Sequence, residues 1–256
     1  MLTEERLQKI QELVEEKKSV STQELMETLD ISESTARRDL NTLANQGRVS
    51  KVRGGAMART ATYTTRDDTV SERKDKNLEA KRQIARYAAA QIEPNDFVYL
   101  DAGTTTELMI DYLTEKNVVF VTNAVSHARK LSQAGYTTYI LGGEFKATTE
   151  AIVGDEAAAS LRKYNFTKGF WGANGISRTE GFSTPDVKEA MIKKISMSRC
   201  RNCFVVSDAS KFSQISCVKF ADFANADIIT ANLSEVLGGA YEKYARYDNV
   251  LEVNKL

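Results

Sequence analysis

Ser32 to Ala56 reads SESTARRDLNTLANQGRVSKVRGGA. Ser32 can cap a helix start by accepting a hydrogen bond from a free backbone amide, and Ala36, Leu40 and Leu43 follow at the spacing that gathers side chains on one helix face. With those residues turned inward, Ser34, Thr35, Arg37, Arg38 and Asn41 fall on the outer side. Gly47 supplies a left-handed stop, and Arg48 to Ala56 reads as a β-hairpin tipped by Gly54 and Gly55. A helix fits the major groove of double-stranded DNA, where guanidinium groups pair with guanine edges or phosphates. Lys51 and Arg53 on the hairpin would flank it as backbone or minor-groove contacts. Asp39 is read as orienting an arginine, since a carboxylate is repelled by anionic DNA.

Working toward the N-terminus, Leu7, Ile10 and Val14 form the stripe of an amphipathic helix. Ser21 and Glu24 make a capping box that opens a second helix through Leu25, Met26 and Leu29, and Asp30 and Ile31 break it before the third. Three short helices then share one core. Charge is divided along this region: residues 1–33 carry four basic groups against nine acidic ones, whereas residues 34–59 carry six basic groups against Asp39 alone. A basic face is confined to the outward helix and the hairpin, although formal net charge over all 256 residues is zero.

That length suits two domains of unequal size. Hydrophobic residues at 42% and charged residues at 27% exclude a disordered chain. The acidic start MLTEERLQKI is no signal peptide, and apolar runs such as Val118 to Val121 are far too short for a membrane span, so a cytoplasmic protein with no membrane partner is expected. Cys200, Cys203 and Cys217 form no disulfide framework, and one C-x-x-C without a second pair falls short of a metal site, so neither metal nor cofactor is expected. His127, the only histidine, lacks an evident nucleophile partner and reads as surface or packing.

The boundaries follow: residues 1–57 as a winged helix-turn-helix DNA-binding domain, 58–75 as an irregular linker, and 76–256 as a larger α/β domain. In the last, the apolar runs FVYLD, VVFVT, TTYIL, KGFWG, CFVVS and DIITA alternate with helical stretches, which predicts a mostly parallel sheet covered on both faces. Ligands on such sheets bind at the carboxyl ends of the strands. After the first strand comes DAGTTTE: Asp101, then Gly103 for close backbone approach, then the hydroxyls of Thr104, Thr105 and Thr106 at a helix start, a turn suited either to phosphate or to simple capping. TNA with Asn123, LGGE with Gly143 and SDASKF with Lys211 also follow strands. Lys211 would offer a charge to a phosphate or sit on the surface, and Asp186 and Glu189 would accept sugar hydroxyls or cap the next helix. Trp171 could stack on a ligand or fill the core.

ESTARRDLNTLANQG followed by VRGGA resembles the N-terminal winged helix of the DeoR family of bacterial transcription regulators, and the similarity runs over essentially the whole chain. In that family the paired arginines of the RRD motif lie in the DNA-reading helix, a role that carries over to Arg37 and Arg38. DAGTTT and SDASKF resemble the family's sensor domain, which is similar in fold to ribose 5-phosphate isomerases and takes phosphorylated sugars as effectors. The closest likeness, to fructose-operon repressors, implies fructose 1-phosphate. Repression of a sugar-utilisation operon by an oligomer is the implied function. An isomerase is the competing expectation, but where those enzymes carry a D-G-A-D-E run with proton-shuttling carboxylates, this chain has WGANG, with Trp171 and Asn174 in place of the two aspartates. A low-specificity architectural DNA binder would not need so large a second domain.

Overall fold

The computed structural model describes residues 3–17, 19–46, 48–52, 54–58, 62–64 and 68–253, so Arg53 and Gly47 lie outside the described residues. The chain divides into two compact units, Met1–Thr62 with Leu237–Lys243, and Tyr63–Val236 with Tyr244–Leu256.

In the first unit, α1 (Thr3–Lys17), α2 (Thr22–Leu29) and α3 (Glu33–Asn45) enclose a core of Leu7, Ile10, Val14, Leu25, Ala36, Leu40 and Leu43. The second and third helices start with the predicted caps: Ser21 and Glu24 close a full capping box, and Ser32 accepts from the Thr35 amide at 3.3 Å. Asp30 takes the left-handed conformation at φ 50° and ends α2. Strands β2 (Val49–Val52) and β3 (Gly55–Ala58) pair antiparallel as the wing. A third strand, β1 (Ser19–Ser21), pairs with β3, which the sequence reading did not anticipate because three residues carry no periodicity. Gly55 is where it docks: a Cβ there would lie 2.2 Å from the Val20 carbonyl oxygen.

The stretch 58–75, expected to be irregular, holds a strand, β4 (Thr62–Thr64), and a helix, α4 (Val70–Lys74). The local cause is a second capping box, in which Thr69 and Glu72 satisfy each other's backbone amides. Helix α5 (Leu78–Ala89) follows and packs Ile84, Ala85 and Ala88 on the main sheet.

That sheet uses β5 (Phe97–Leu100), β6 (Val119–Thr122), β7 (Thr137–Ile140), β10 (Phe166–Trp171), β13 (Cys200–Val206), β16 (Asp227–Thr230) and β17 (Val250–Glu252). It is parallel throughout, in the order β17-β16-β13-β10-β5-β6-β7. The six apolar runs named from sequence supply all but β17, a three-residue edge strand. Among the smaller sheets, β8 (Glu144–Lys146) pairs antiparallel with β9 (Ala151–Val153), and β11 (Gly175–Ser177) with β12 (Gly181–Thr184) and β12 with β15 (Val218–Ala221). Helices α6 (Thr104–Met109), α7 (Val125–Gln133), α8 (Asp155–Leu161) and α9 (Val187–Ser198) connect the strands.

The chain runs outward from β5 through β6 to β7, then returns to the other side of β5 to make β10. The order therefore reverses between β5 and β10, and a crevice opens at the carboxyl ends of those two strands. Trp171, at the end of β10, is fully buried behind it: its indole Nε1 donates to Ser196 Oγ at 2.9 Å and its ring lies 5.6 Å from that of Tyr99. Gly169 makes room for it, since a Cβ at that position would meet the indole at 2.2 Å. Trp171 fills the core. Among the described residues no helix is long and apolar enough to cross a membrane, and no group of three or more His, Cys, Asp or Glu side chains could hold a metal ion.

Candidate functional site

On α3 the inward and outward faces separate as the spacing predicts. Ala36, Leu40 and Leu43 are buried, while Ser34, Arg37, Arg38 and Asn41 are exposed and Thr35 is half-buried. Asp39 turns inward, 3% exposed, and accepts from Arg6 of α1 at 2.6 Å, so it orients an arginine on another helix rather than Arg37 or Arg38. The paired arginines differ. Arg37 is braced by Glu33 at 2.5 Å, one helical turn earlier, whereas the Arg38 guanidinium has no partner among the described residues. Lys51 on the wing donates to Asn41 Oδ1 at 2.5 Å, so two groups named for DNA hold wing and helix together.

In the second unit a cleft lies at the switch point. Three of the loops read from sequence meet there: Gly103 to Thr106 after β5, Asn174 after β10, and Ser207, Asp208, Ser210 and Lys211 after β13. Thr104 and Thr105 are each 8% exposed, and their hydroxyls have no hydrogen-bond partner among the described residues. The Lys211 ammonium has no carboxylate partner among them either. Five cationic side chains line the cleft, Arg73, Lys76, Lys81, Lys193 and Lys211, against the carboxylates Glu189 and Asp208, so the cleft suits an anion.

Several residues expected to touch a ligand are spent elsewhere. Asp101 is 1% exposed and pairs with Lys193, while the Gly172 amide donates to it at 3.2 Å. It ties the end of β5 to the end of β10. Burial raises the Asp101 carboxyl above the usual carboxylate range, opposed by Lys193 and the Gly172 amide. Thr106 lines the cleft, but its hydroxyl donates back to the Asp101 carbonyl at 2.7 Å. His127 sits behind it with Nε2 3.1 Å from Thr106 Oγ1 and Nδ1 3.2 Å from Ser126 Oγ; burial, with Lys130 adding to it, pushes the imidazole down to about 3 and keeps it neutral. Gly103 has extended backbone at φ −166°, open to any residue; what restricts it is Thr106 Oγ1, 3.2 Å from where a Cβ would stand.

Asn123 does not reach the cleft, because its amide is used up: it accepts from Tyr99 Oη at 3.1 Å and from the Ala102 amide at 3.0 Å, and donates to the Ile152 carbonyl at 3.2 Å. Gly143 lies against β9, where a Cβ would come within 2.7 Å of the Val153 carbonyl oxygen. Asp186 caps α9, accepting from the Glu189 amide at 2.9 Å, and pairs with Lys146 at 3.2 Å. Burial would raise its carboxyl, yet those amide bonds and Lys146 outweigh that and hold it low. Glu189 does line the cleft, with its carboxylate already taken by Lys146, Thr149 and Thr184.

The reading of the sequence missed Arg73, Lys76, Asn77, Lys81 and Lys193. One signal was available: Lys81 stands at helical spacing from Ile84, Ala85 and Ala88, which places a charge on a buried face. Lys81 is 4% exposed, its ammonium donates to the Arg73 carbonyl, and burial lowers its pKa while Asp208 opposes the shift.

The chain matches the DeoR-like helix-turn-helix domain over residues 6–62 and the DeoR C terminal sensor domain over residues 76–232. It is 40% identical, over 95% of its length and 96% of the relative's, to an uncharacterized HTH-type transcriptional regulator, FruR, of Bacillus subtilis strain 168. It is 31% identical, over 89% of its length and 90% of the relative's, to the lactose phosphotransferase system repressor of Staphylococcus aureus strain N315. Among solved structures, ribose 5-phosphate isomerase from Plasmodium falciparum aligns with 52% of each chain at a TM-score of 0.39 and 15% identity, a likeness too slight to carry an argument about this chain.

Proposed function

The chain belongs to the DeoR family of DNA-binding transcription regulators, and from that premise we propose that it represses a sugar-utilisation operon under the control of a phosphorylated sugar bound at the switch-point cleft. The observation that carries this reading is that the Lys211 ammonium and the Thr104 and Thr105 hydroxyls, all without side-chain partners among the described residues, line one cleft where cations outnumber carboxylates. A phosphate monoester brings two negative charges and three acceptor oxygens to such donors. Fructose 1-phosphate is the first sugar to try, as the resemblance to fructose-operon repressors suggests. Two copies of the head, held by an oligomer, would engage two half-sites of the operator. A thermal-shift screen against sugar phosphates and their unphosphorylated parents tests the effector, because a ligand specific to the native state must stabilise it.

On the DNA side, Ser34, Thr35, Arg37, Arg38 and Asn41 would face the major groove, with Lys51 and Arg53 on the wing. Arg38→Ala is expected to weaken operator binding by about 1–3 kcal/mol if the lost contact is to a base. Arg37 must first leave Glu33. Lys51→Ala should instead weaken all DNA sequences alike and lower the salt slope by about 1. Fluorescence titrations on operator and scrambled DNA at several salt concentrations separate the two effects; undiminished affinity in both variants would take these residues off the recognition surface.

The same cleft is proposed to bind without catalysing. The group Asn174 presents at its edge is an amide, the nearby carboxylates of Glu189 and Asp101 are held in ion pairs, and Asp208 accepts through Oδ1 from Asn77 and from the Ser210 amide and hydroxyl, so no pair of free carboxylates stands ready to move a proton between substrate carbons. Incubation with pentose and hexose phosphates is expected to give no isomerised product. Turnover well above background, abolished by Glu189→Gln or Asp101→Asn, would overturn this reading.

A further inference from the structure

We propose that Cys200 and Cys203 form a redox-reactive thiol pair, in which Cys203 exchanges with a small anionic disulfide taken into a second cleft of the larger unit. That cleft lies at the amino end of β13 and shares no residue with the one at the switch point. Lys194, Met197, Cys200, Arg201, Cys203 and Phe220 line it. Both sulfurs are half-buried and within hydrogen-bond reach of each other. Cys203 Sγ stands 3.6 Å from the Met197 carbonyl oxygen and 3.8 Å from that of Cys200, while Cys200 Sγ stands 3.2 Å from that of Asn202. Once Cys203 has lost its proton, the Cys200 S–H donates to the thiolate. That contact lowers the Cys203 thiol against the opposing pull of burial and Asp227, and with burial it pushes Cys200 up. The pair therefore has one nucleophile, and the thiolate is the reactive form.

The surroundings select the reagent. Lys194 and Arg201 are exposed and have no carboxylate partner among the described residues, whereas Lys219 of the same cleft is taken by Asp222 at 2.5 Å. Two unspent cations beside a nucleophilic sulfur attract a disulfide that carries carboxylates, such as the oxidised form of an acidic thiol peptide. The Cys203 thiolate attacks one sulfur of that reagent, whose S–S bond breaks as the new one forms, and the departing thiolate takes up the proton that Cys203 released. Cys203 is oxidised and the reagent yields one thiol. The strand withholds Cys200 from a second step. Three residues of extended chain put about 10 Å between the two Cα atoms, where a disulfide needs less than about 7 Å. Bridging them would pull Cys200 and Asn202 away from Phe166 and Lys168 of β10. The mixed disulfide persists.

The full chain carrying Cys217→Ser, treated with Ellman's reagent, a dianionic aromatic disulfide, is expected to release one equivalent of thiolate about threefold or more faster than Cys217 does in the Cys200→Ser, Cys203→Ser double variant. Cys203→Ser should remove that phase, and Cys200→Ser should slow it without removing it. Lys194→Gln with Arg201→Gln should slow Ellman's reagent several-fold and leave the neutral 2,2′-dithiodipyridine as fast as before. These two positions are exposed, so they keep the test open if thermal melting shows a serine variant unfolded. Incubation with oxidised glutathione, followed by intact mass and peptide mapping, should place one glutathione on Cys203. Labelling of Cys217 ahead of Cys203, or rates in the Lys194 and Arg201 variant that fail to separate the charged reagent from the neutral one, overturns the proposal. Loss of two protons without an adduct would show a Cys200–Cys203 bridge and overturn the persistence of the mixed disulfide.

Discussion

Lys193→Met is expected to cost about 3–5 kcal/mol of stability, because it strands a buried carboxylate without its counter-charge. The Lys193 and Asp101 side chains are 6% and 2% exposed, and their pair spans the switch point: Asp101 follows β5, and Lys193 also donates to the Gly172 carbonyl after β10 at 3.1 Å. Burial already holds the Asp101 carboxyl high, and Lys193 is the strongest influence pulling it down. With Lys193 gone, the folded-state pKa rises further. A carboxyl whose folded pKa exceeds its unfolded value keeps its share of stability below the unfolded pKa and loses it as pH rises through the folded one. The deficit of the variant should therefore shrink as pH falls from 8 toward 5, read from urea unfolding at each pH. A deficit that ignores pH would point instead to lost packing, since the Lys193 ammonium also sits 5.6 Å from the Phe220 ring centre. Asp101→Asn added to Lys193→Met should recover much of the loss, as replacing both partners of a buried pair often does.

The same pair shows where reading the sequence stopped short. DAGTTT announces a strand end and a ligand turn, and Asp101 looks like a free carboxylate offered to a sugar. Its partner lies 92 positions later on α9, a separation no local pattern encodes. The head was legible nearly to the residue because its information is local: caps act over three residues, and helical faces repeat every three or four. The main sheet was legible for a similar reason, since strands buried on both faces appear as continuous apolar runs. The cleft was half legible. Loops that follow strands can be named as candidates, but strand order decides which of them meet. Asn123 and Gly143 follow β6 and β7, outward from the reversal between β5 and β10, whereas Lys211 follows β13, next to β10. Arg73 was read as part of a polar connection and Lys76 passed over at the start of the α/β domain, because nothing in a short charged stretch tells a solvated surface from the wall of an anion site.

Lys211→Ala and Thr105→Ala are expected to weaken sugar-phosphate binding and to blunt its effect on operator affinity, in a response that for wild type amounts to about 5- to 150-fold. Lys211 has no carboxylate partner among the described residues, so its removal takes charge from the ligand without stranding an acid. Thr105 sits at the start of α6, where first-turn amides have no intrahelical acceptor, and its hydroxyl adds a donor beside them. Neither residue belongs to the unit that carries α3. An effector shifts operator affinity only through its different affinities for the DNA-competent and DNA-incompetent states. Linkage then requires that operator DNA shift the affinity for the sugar phosphate by the same factor, a symmetry that an artefact of ionic strength or competition for DNA would not reproduce. The measurement is a double titration: operator-bound protein with fructose 1-phosphate, other sugar phosphates and their unphosphorylated parents, then the free chain with the same ligands. Because Lys211 answers to charge, the parents should leave operator affinity where it was, and Lys211→Ala should narrow the gap between phosphate and parent. If the parents act as well as the phosphates, or Lys211→Ala responds as wild type does, the anion is being read elsewhere and the cleft at the switch point is not the sensor.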